Sequence, residues 1–131
     1  MSRQQIFCPF RRRYVALTPE EHVRQAFLAD MVAKGYPAGR IGVEVPFKVG
    51  NKAYRADAVV YDGQLRPIML LEFKADTIPL TQRTLDQAVV YNRELQVPYL
   101  LLHNGKTSVI ASIENEQIHF LEEVPTYDRL Y

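Results

Sequence analysis

The sequence predicts a single α/β domain, with a mixed sheet of four to five strands flanked by two main helices. Three observations carry this prediction. Two stretches place apolar residues at helical spacing and open on a capping threonine, Thr18 and Thr81. Several short runs rich in β-branched and aromatic residues are bounded by turn sequences, among them Asp62-Gly63 and Asn104-Gly105. The second helical stretch lies between two strand-like runs, as a crossover between parallel neighbours does.

Size and composition set the outer limits. At 131 residues the chain suits one domain, with a core over about 18–113, an arm over 1–17 and a tail over 122–131. A hydrophobic content of 47% is enough for a proper core. The formal net charge is +1, so any nucleic-acid contact must come from local patches rather than a global basic field. Cys8 is the only cysteine, which excludes an internal disulfide and fits a reducing compartment. No apolar run reaches membrane-span length and no signal-peptide core is present, so a cytoplasmic protein without membrane contact is expected.

In chain order, the arm holds Phe7, Phe10 and Tyr14 around Arg11-Arg12-Arg13, a run that reads as solvated surface or as a phosphate contact. Thr18 caps the first helix, Pro19 occupies its first position and Glu21 is placed to close a capping box. Val23, Phe27, Leu28, Met31 and Val32 form the apolar stripe, and Gly35 stops it. A strand follows over Ile41 to Val49, with Ile41, Val43, Val45 and Phe47 on one face and Pro46 favouring an edge. After a turn at Val49 to Lys52, a second strand runs back to Tyr61.

The turn from Asp62 to Pro67 leads into the strand Ile68 to Phe73. If Asp62 pairs with Pro67, Asp57 falls opposite Glu72. Strand alternation then puts Glu72 and Lys74 on one face. A slip of one residue would turn Asp57 to the other surface. Two facing carboxylates repel unless something positive lies between them. Hard oxygen donors of this kind suit Mg²⁺, and a lysine beside them can orient or deprotonate a water or stabilise charge on a phosphate. The competing reading is an exposed strand face on which Lys74 pairs with one acid. Arg55, two residues before Asp57, can meet a phosphate or pair with Glu44 or Glu72.

Thr81 caps a second helix that runs to about Leu95 and buries Leu85, Ala88 and Val89. Gln87 and Tyr91, four apart, share one of its faces. Val97 to His103 is a continuous apolar run suited to a strand covered on both faces, parallel to the Phe73 strand. Thr107 to Ile113 returns from Asn104-Gly105, and Gln117 to Leu121 adds an edge. His22 and His103 have no partner at zinc-site spacing and are assigned no role.

An aspartate, fourteen residues ending in Leu-Leu, then Glu-x-Lys resembles the core of the PD-(D/E)XK nucleases, with Ala56 where their motif has proline. The strings TPEEHVRQ, RADAVVYD, LLEFKA, DQAVVYN and YLLLHNG occur in order over about 18–105. Together they resemble the nuclease domain at the N-terminus of type I restriction enzyme R subunits. The resemblance implies a restriction-endonuclease-like fold and Mg²⁺-dependent hydrolysis of DNA phosphodiester bonds in a restriction system, with Mn²⁺ as a substitute ion. It implies that Asp57 and Glu72 bind the metal, with the Phe73 carbonyl as a further ligand, and that Lys74 serves the water. It adds a glutamate from the first helix to the metal, for which Glu21 fits better than Glu20. Gln87 and Tyr91 match the Q-x-x-x-Y pair of those subunits and would hold substrate or Lys74, and Arg55 would touch nucleic acid. Glu44 stands where the resembling domains often carry an acid.

R subunits continue into an ATP-driven translocase. No G-x-x-x-x-G-K-[ST] loop occurs here, so ATP use is not expected of this chain. It would act alone, as a homodimer, or with other restriction-system subunits. The alternative is a non-catalytic nucleic-acid- or protein-binding module on the same fold. The residues do not choose between DNA and RNA.

Overall fold

The computed structural model describes residues 4–130. Two strands, β1 (Gln5–Cys8) and β2 (Arg13–Ala16), form a separate hairpin. Helix α1 (Pro19–Ala33) follows, then β3 (Ile41–Val49), β4 (Lys52–Tyr61) and β5 (Pro67–Phe73). Helix α2 (Gln82–Leu95) crosses to β6 (Tyr99–His103), and β7 (Ser108–Glu114) and β8 (Gln117–Leu121) complete the main sheet. Its order is β3-β4-β5-β6-β7-β8, with β5 and β6 parallel and every other pair antiparallel. Six strands thus replace the four to five expected, because β8 is a full edge strand and β7 is paired on both sides.

The sheet separates two apolar clusters. Leu28 and Met31 of α1 pack with Ala58, Val60, Met69, Leu71, Phe73 and Leu101 on one face. Leu85 and Ala88 of α2 pack with Val59, Leu70, Leu100 and Leu102 on the other. The leucines at 100, 101 and 102 are each almost fully buried on alternating faces. Full burial of such a side chain contributes roughly 1.5–3 kcal/mol.

Helix α1 opens as its sequence implies: the Thr18 hydroxyl accepts from the Glu21 N–H at 3.1 Å. The reciprocal half of the capping box is absent, because the Glu21 side chain turns inward to arginines. The helix closes with Tyr36 N–H donating to Met31 C=O and Gly35 N–H to Val32 C=O, with Gly35 at φ 108°. Val32 ends up exposed, and Arg24 is buried in the helix face instead. On α2 the box is complete, between Thr81 and Thr84.

Strand β3 departs from simple alternation. Glu44 has φ 54°, and the Glu44–Asp57 position is missing from an otherwise continuous β3–β4 ladder. Val43 therefore packs on the α1 side, whereas Val45 and Phe47 pack on the α2 side. Across the break, Ala58 and Ala56 divide in the same way. Pro46 does lie on an edge strand.

The turn before β5 is one residue tighter than expected. Asp62 N–H donates to Arg66 C=O at 2.8 Å, its carboxylate accepts from the Gln64 and Arg66 N–H groups, and Tyr61 faces Pro67. A bulge next to Tyr61 then restores the register, so Ala58 faces Leu71. The next position along this register sets Asp57 against Glu72. The tail is also more than a polar extension. Tyr127 and Leu130 are buried in the α1-side core, and the Tyr127 hydroxyl donates to Tyr61 C=O at 2.8 Å.

Candidate active site

The C-terminal end of β5, the first half of β4 and one face of α2 enclose a cleft of about 160 Å³. Tyr54, Arg55, Glu72, Lys74, Thr84, Gln87, Ala88 and Tyr91 line it. Glu72 and Lys74 arrive on the same side because they are two apart at a strand end.

Asp57 stands where β4 and β5 stop pairing. Its Oδ2 accepts from the Phe73 N–H at 2.7 Å, taking the place of a ladder carbonyl. Its backbone carbonyl receives Arg24 from the α1 side at 3.5 Å. The Glu72 carboxyl is the most perturbed acid of the site. Burial, and then the negative charge of Asp57, push it up to about 9, while Lys74 acts in the opposite sense. Burial and the neighbouring acid thus favour the protonated form of Glu72 in the metal-free protein. Its Oε1 is buried without a hydrogen-bond partner. A buried carboxyl beside a second acid either keeps its proton or, when ionised, needs a cation beside it. As two hard oxygen donors, the pair fits Mg²⁺, which commonly takes one or two carboxylates and fills its shell with water and phosphate oxygen.

Glu21 is drawn elsewhere. Its carboxylate is gripped by Arg11 and Arg24, and accepts from the Gln25 amide at 3.0 Å. Those donors outweigh the upward effect of burial and hold its carboxyl below the usual range. Among the described residues, no three His, Cys, Asp or Glu side chains gather closely enough to hold a metal ion. The structure thus brings Asp57 and Glu72 together without Glu21, and Glu20 stays exposed.

Glu44 joins the arginines. Arg11, Arg24 and Arg55 approach its carboxylate at 3.5, 3.8 and 3.6 Å. Arg11, one of the three consecutive arginines, is thus neither solvated surface nor free for phosphate; Arg12 and Arg13 remain exposed. Sequence reasoning offered the Arg55–Glu44 pair and missed the rest of this network. The Glu21–Arg24 spacing of three on one helix was its visible signal; the hairpin that delivers Arg11 gave none.

On the opposite wall, the Gln87 amide donates to the Tyr91 hydroxyl at 2.9 Å. The Tyr91 ring packs on Tyr54 at 4.7 Å and Phe47 at 5.7 Å, which ties α2 to the β3–β4 hairpin. Burial raises the Tyr91 phenol pKa, with Gln87 opposing and the Tyr54 and Glu72 charges reinforcing the rise. His103 accepts no chemical role from its setting: its ring packs on Phe27 at 4.4 Å and its Nδ1 meets the Ser108 hydroxyl.

A family model described as the type I restriction enzyme R protein N terminus matches residues 19–125. The chain belongs to that family. The match takes in every residue of the cleft and leaves out the β1–β2 hairpin of this R-protein N-terminal domain. The fold agrees with a solved fragment of a putative HsdR subunit of a type I restriction enzyme from Vibrio vulnificus YJ016, at a TM-score of 0.65 and 20% identity. That superposition covers 87% of this chain and 24% of the other, so the chain spans about a quarter of its structural relative. No curated protein matches the sequence significantly. No helix among the described residues is long and apolar enough to cross a membrane.

Proposed function

We propose that this domain is the Mg²⁺-dependent endodeoxyribonuclease module of a restriction system, cutting DNA phosphodiester bonds in the cleft between β5 and α2. One observation carries the reading. Glu72 has a buried oxygen without a partner, lies beside Asp57 and lines a cleft that also holds Lys74.

Asp57 and Glu72 would hold the ion, and Mn²⁺ would substitute. An ion held there would supply Lewis-acid polarisation of a phosphate oxygen and would favour deprotonation of a bound water. Lys74 supplies an ammonium in the same cleft, placed to orient the attacking water and to stabilise charge on the phosphate. Gln87 and Tyr91 offer an amide and a phenol to a phosphate oxygen from the opposite wall. Arg55, largely exposed at the rim, meets the backbone of the DNA. Glu21 we assign to holding Arg11 and Arg24, not the ion, since reaching the metal would break its contacts with both guanidinium groups. A homodimer or other restriction-system subunits would supply the second cut and any motor, with ATP consumed outside this domain.

The test is Lys74→Met assayed for nicking of supercoiled plasmid with Mg²⁺ or Mn²⁺. Loss of nicking with retained thermal stability supports the assignment, and activity equal to the parent removes it. A Mn²⁺-induced thermal shift that disappears in Asp57→Ala separates a metal enzyme from a binding module that only keeps the fold.

A further inference from the structure

The two edges of the main sheet are unlike. β3 carries Pro46 and Lys48, residues that discourage further pairing. β8 carries neither proline nor lysine and pairs only with β7 among the described residues. Ile118 and Phe120 point to the α2 side of the sheet, opposite Ile113 and Ala111. Phe120 is 65% exposed. Ile118 lines a groove of about 760 Å³ between β7–β8 and the C-terminal end of α2, with Val89, Val97 and Ile113 on its walls. An unprotected edge with an apolar face beside it is what strand addition requires.

The charges around it select the occupant. Glu114 and Glu116 stand before β8 and Glu122 and Glu123 after it, all exposed. None of the four takes part in an ion pair among the described residues. Of the four, Glu116 lines the groove beside one base, Arg93, and Glu122 and Glu123 border a second pocket on the α1 side with Lys34. A second copy pairing antiparallel through β8 would bring Glu114 and Glu116 of one chain against Glu122 and Glu123 of the other, at both ends of the strand. Like charges so placed are destabilising. Nucleic acid is repelled for the same reason.

We propose that β8 is a docking edge for an extended segment of another protein, with alternating apolar residues between lysine or arginine flanks. The segment adds a seventh strand, its apolar side chains cover Phe120 and the groove, and its basic flanks meet the two glutamate pairs. Two strands, β6 and β7, lie between this edge and β5, which carries Glu72, so docking and the cleft do not compete.

The probe is a fluorescent peptide with a Val-Thr-Val-Thr-Val core between paired lysines, compared with the same core between paired glutamates. Saturable binding of the lysine peptide, at least about tenfold tighter than the glutamate peptide, is the expected result. Amide exchange should slow on Gln117–Leu121 when it binds. Phe120→Asp, at an exposed site that leaves the core intact, should weaken it by a similar factor, and the double variant Glu122→Lys with Glu123→Lys should erase the preference for basic flanks. Equal affinity for both peptides, protection elsewhere than β8, or an unaffected Phe120→Asp variant overturns the proposal. So does a dimer in sedimentation equilibrium that Phe120→Asp dissociates, since the edge would then belong to a second copy.

Discussion

The Asp57 carboxylate accepts a hydrogen bond from the Phe73 N–H at 2.7 Å. Through this contact β4 and β5 part with an acid in the gap rather than a further ladder bond. Glu44, at the facing position on β3, takes a left-handed φ, so the strands change face on both sides of Asp57. A non-glycine residue in that region costs about 1–3 kcal/mol and persists where its surroundings over-determine it. Here the surroundings are three arginines around one carboxylate.

The metal-free protein should lose stability as pH rises. Between 4.5 and about 9 the folded chain keeps a proton on Glu72 that the unfolded chain has released. Stability from this group is complete below the lower value, falls by at most about 1.4 kcal/mol per pH unit through the window, and levels off above it. Glu72→Gln should flatten that slope in urea titrations from pH 5 to pH 9. A parent slope as flat as the variant's would contradict the buried, protonated Glu72.

Divalent ion binding should release a proton. The ion and the proton compete for the same carboxyl, so Mn²⁺ affinity should climb with pH toward 9, by up to about tenfold per unit. Calorimetry in buffers of different ionisation enthalpy reads the proton directly. Identical heats in all buffers would count against Glu72 as the ligand.

Arg11→Ala should destabilise the domain by about 2–4 kcal/mol, because it leaves Glu21 and Glu44 short of a buried counter-charge. Glu21→Gln should also cost stability, yet change Mn²⁺ affinity by less than about tenfold. A much larger loss of affinity would return Glu21 to the metal.

Tyr91→Phe removes the hydroxyl that Gln87 meets and keeps the ring that packs on Tyr54. Stability should stay within about 0.5–1 kcal/mol of the parent, while nicking efficiency drops by about tenfold, or 1.4 kcal/mol of transition-state stabilisation. Unaltered nicking would leave Tyr91 with packing alone.

Leu65→Gly tests the turn that feeds β5. Leu65 is exposed with φ 62°, a conformation glycine adopts without strain. Relief of that strain should outweigh the added freedom of the unfolded chain, for a gain of about 0.5–1 kcal/mol in urea unfolding.

Much of the frame was legible in the residues. Thr18 and Thr81 announced both helices, the Leu100–Leu102 run announced a doubly covered strand, and Asp62-Gly63 announced a hairpin. The expected Asp57–Glu72 register came from a turn drawn one residue too wide. The bulge beside Tyr61 cancels that error, and no sequence signal marks the bulge. Tyr127 and Leu130 escaped notice because two apolar residues in a short, irregular segment show no period. The Glu44 reversal escaped because alternation continues through it in the sequence while the backbone turns over.

The sequence by itself determined the two main helices, the strands of the main sheet, their order and the parallel crossover, since these follow from local propensity, caps and the spacing of apolar residues, and its motif strings carried the resemblance to the family. Only the tertiary structure decided which acids share a site. Glu21, Glu44, Asp57 and Glu72 are alike as residues. Their partners come from distant parts of the chain: a hairpin places Arg11 on Glu21, while burial beneath α2 leaves Glu72 with an oxygen that nothing in the protein satisfies.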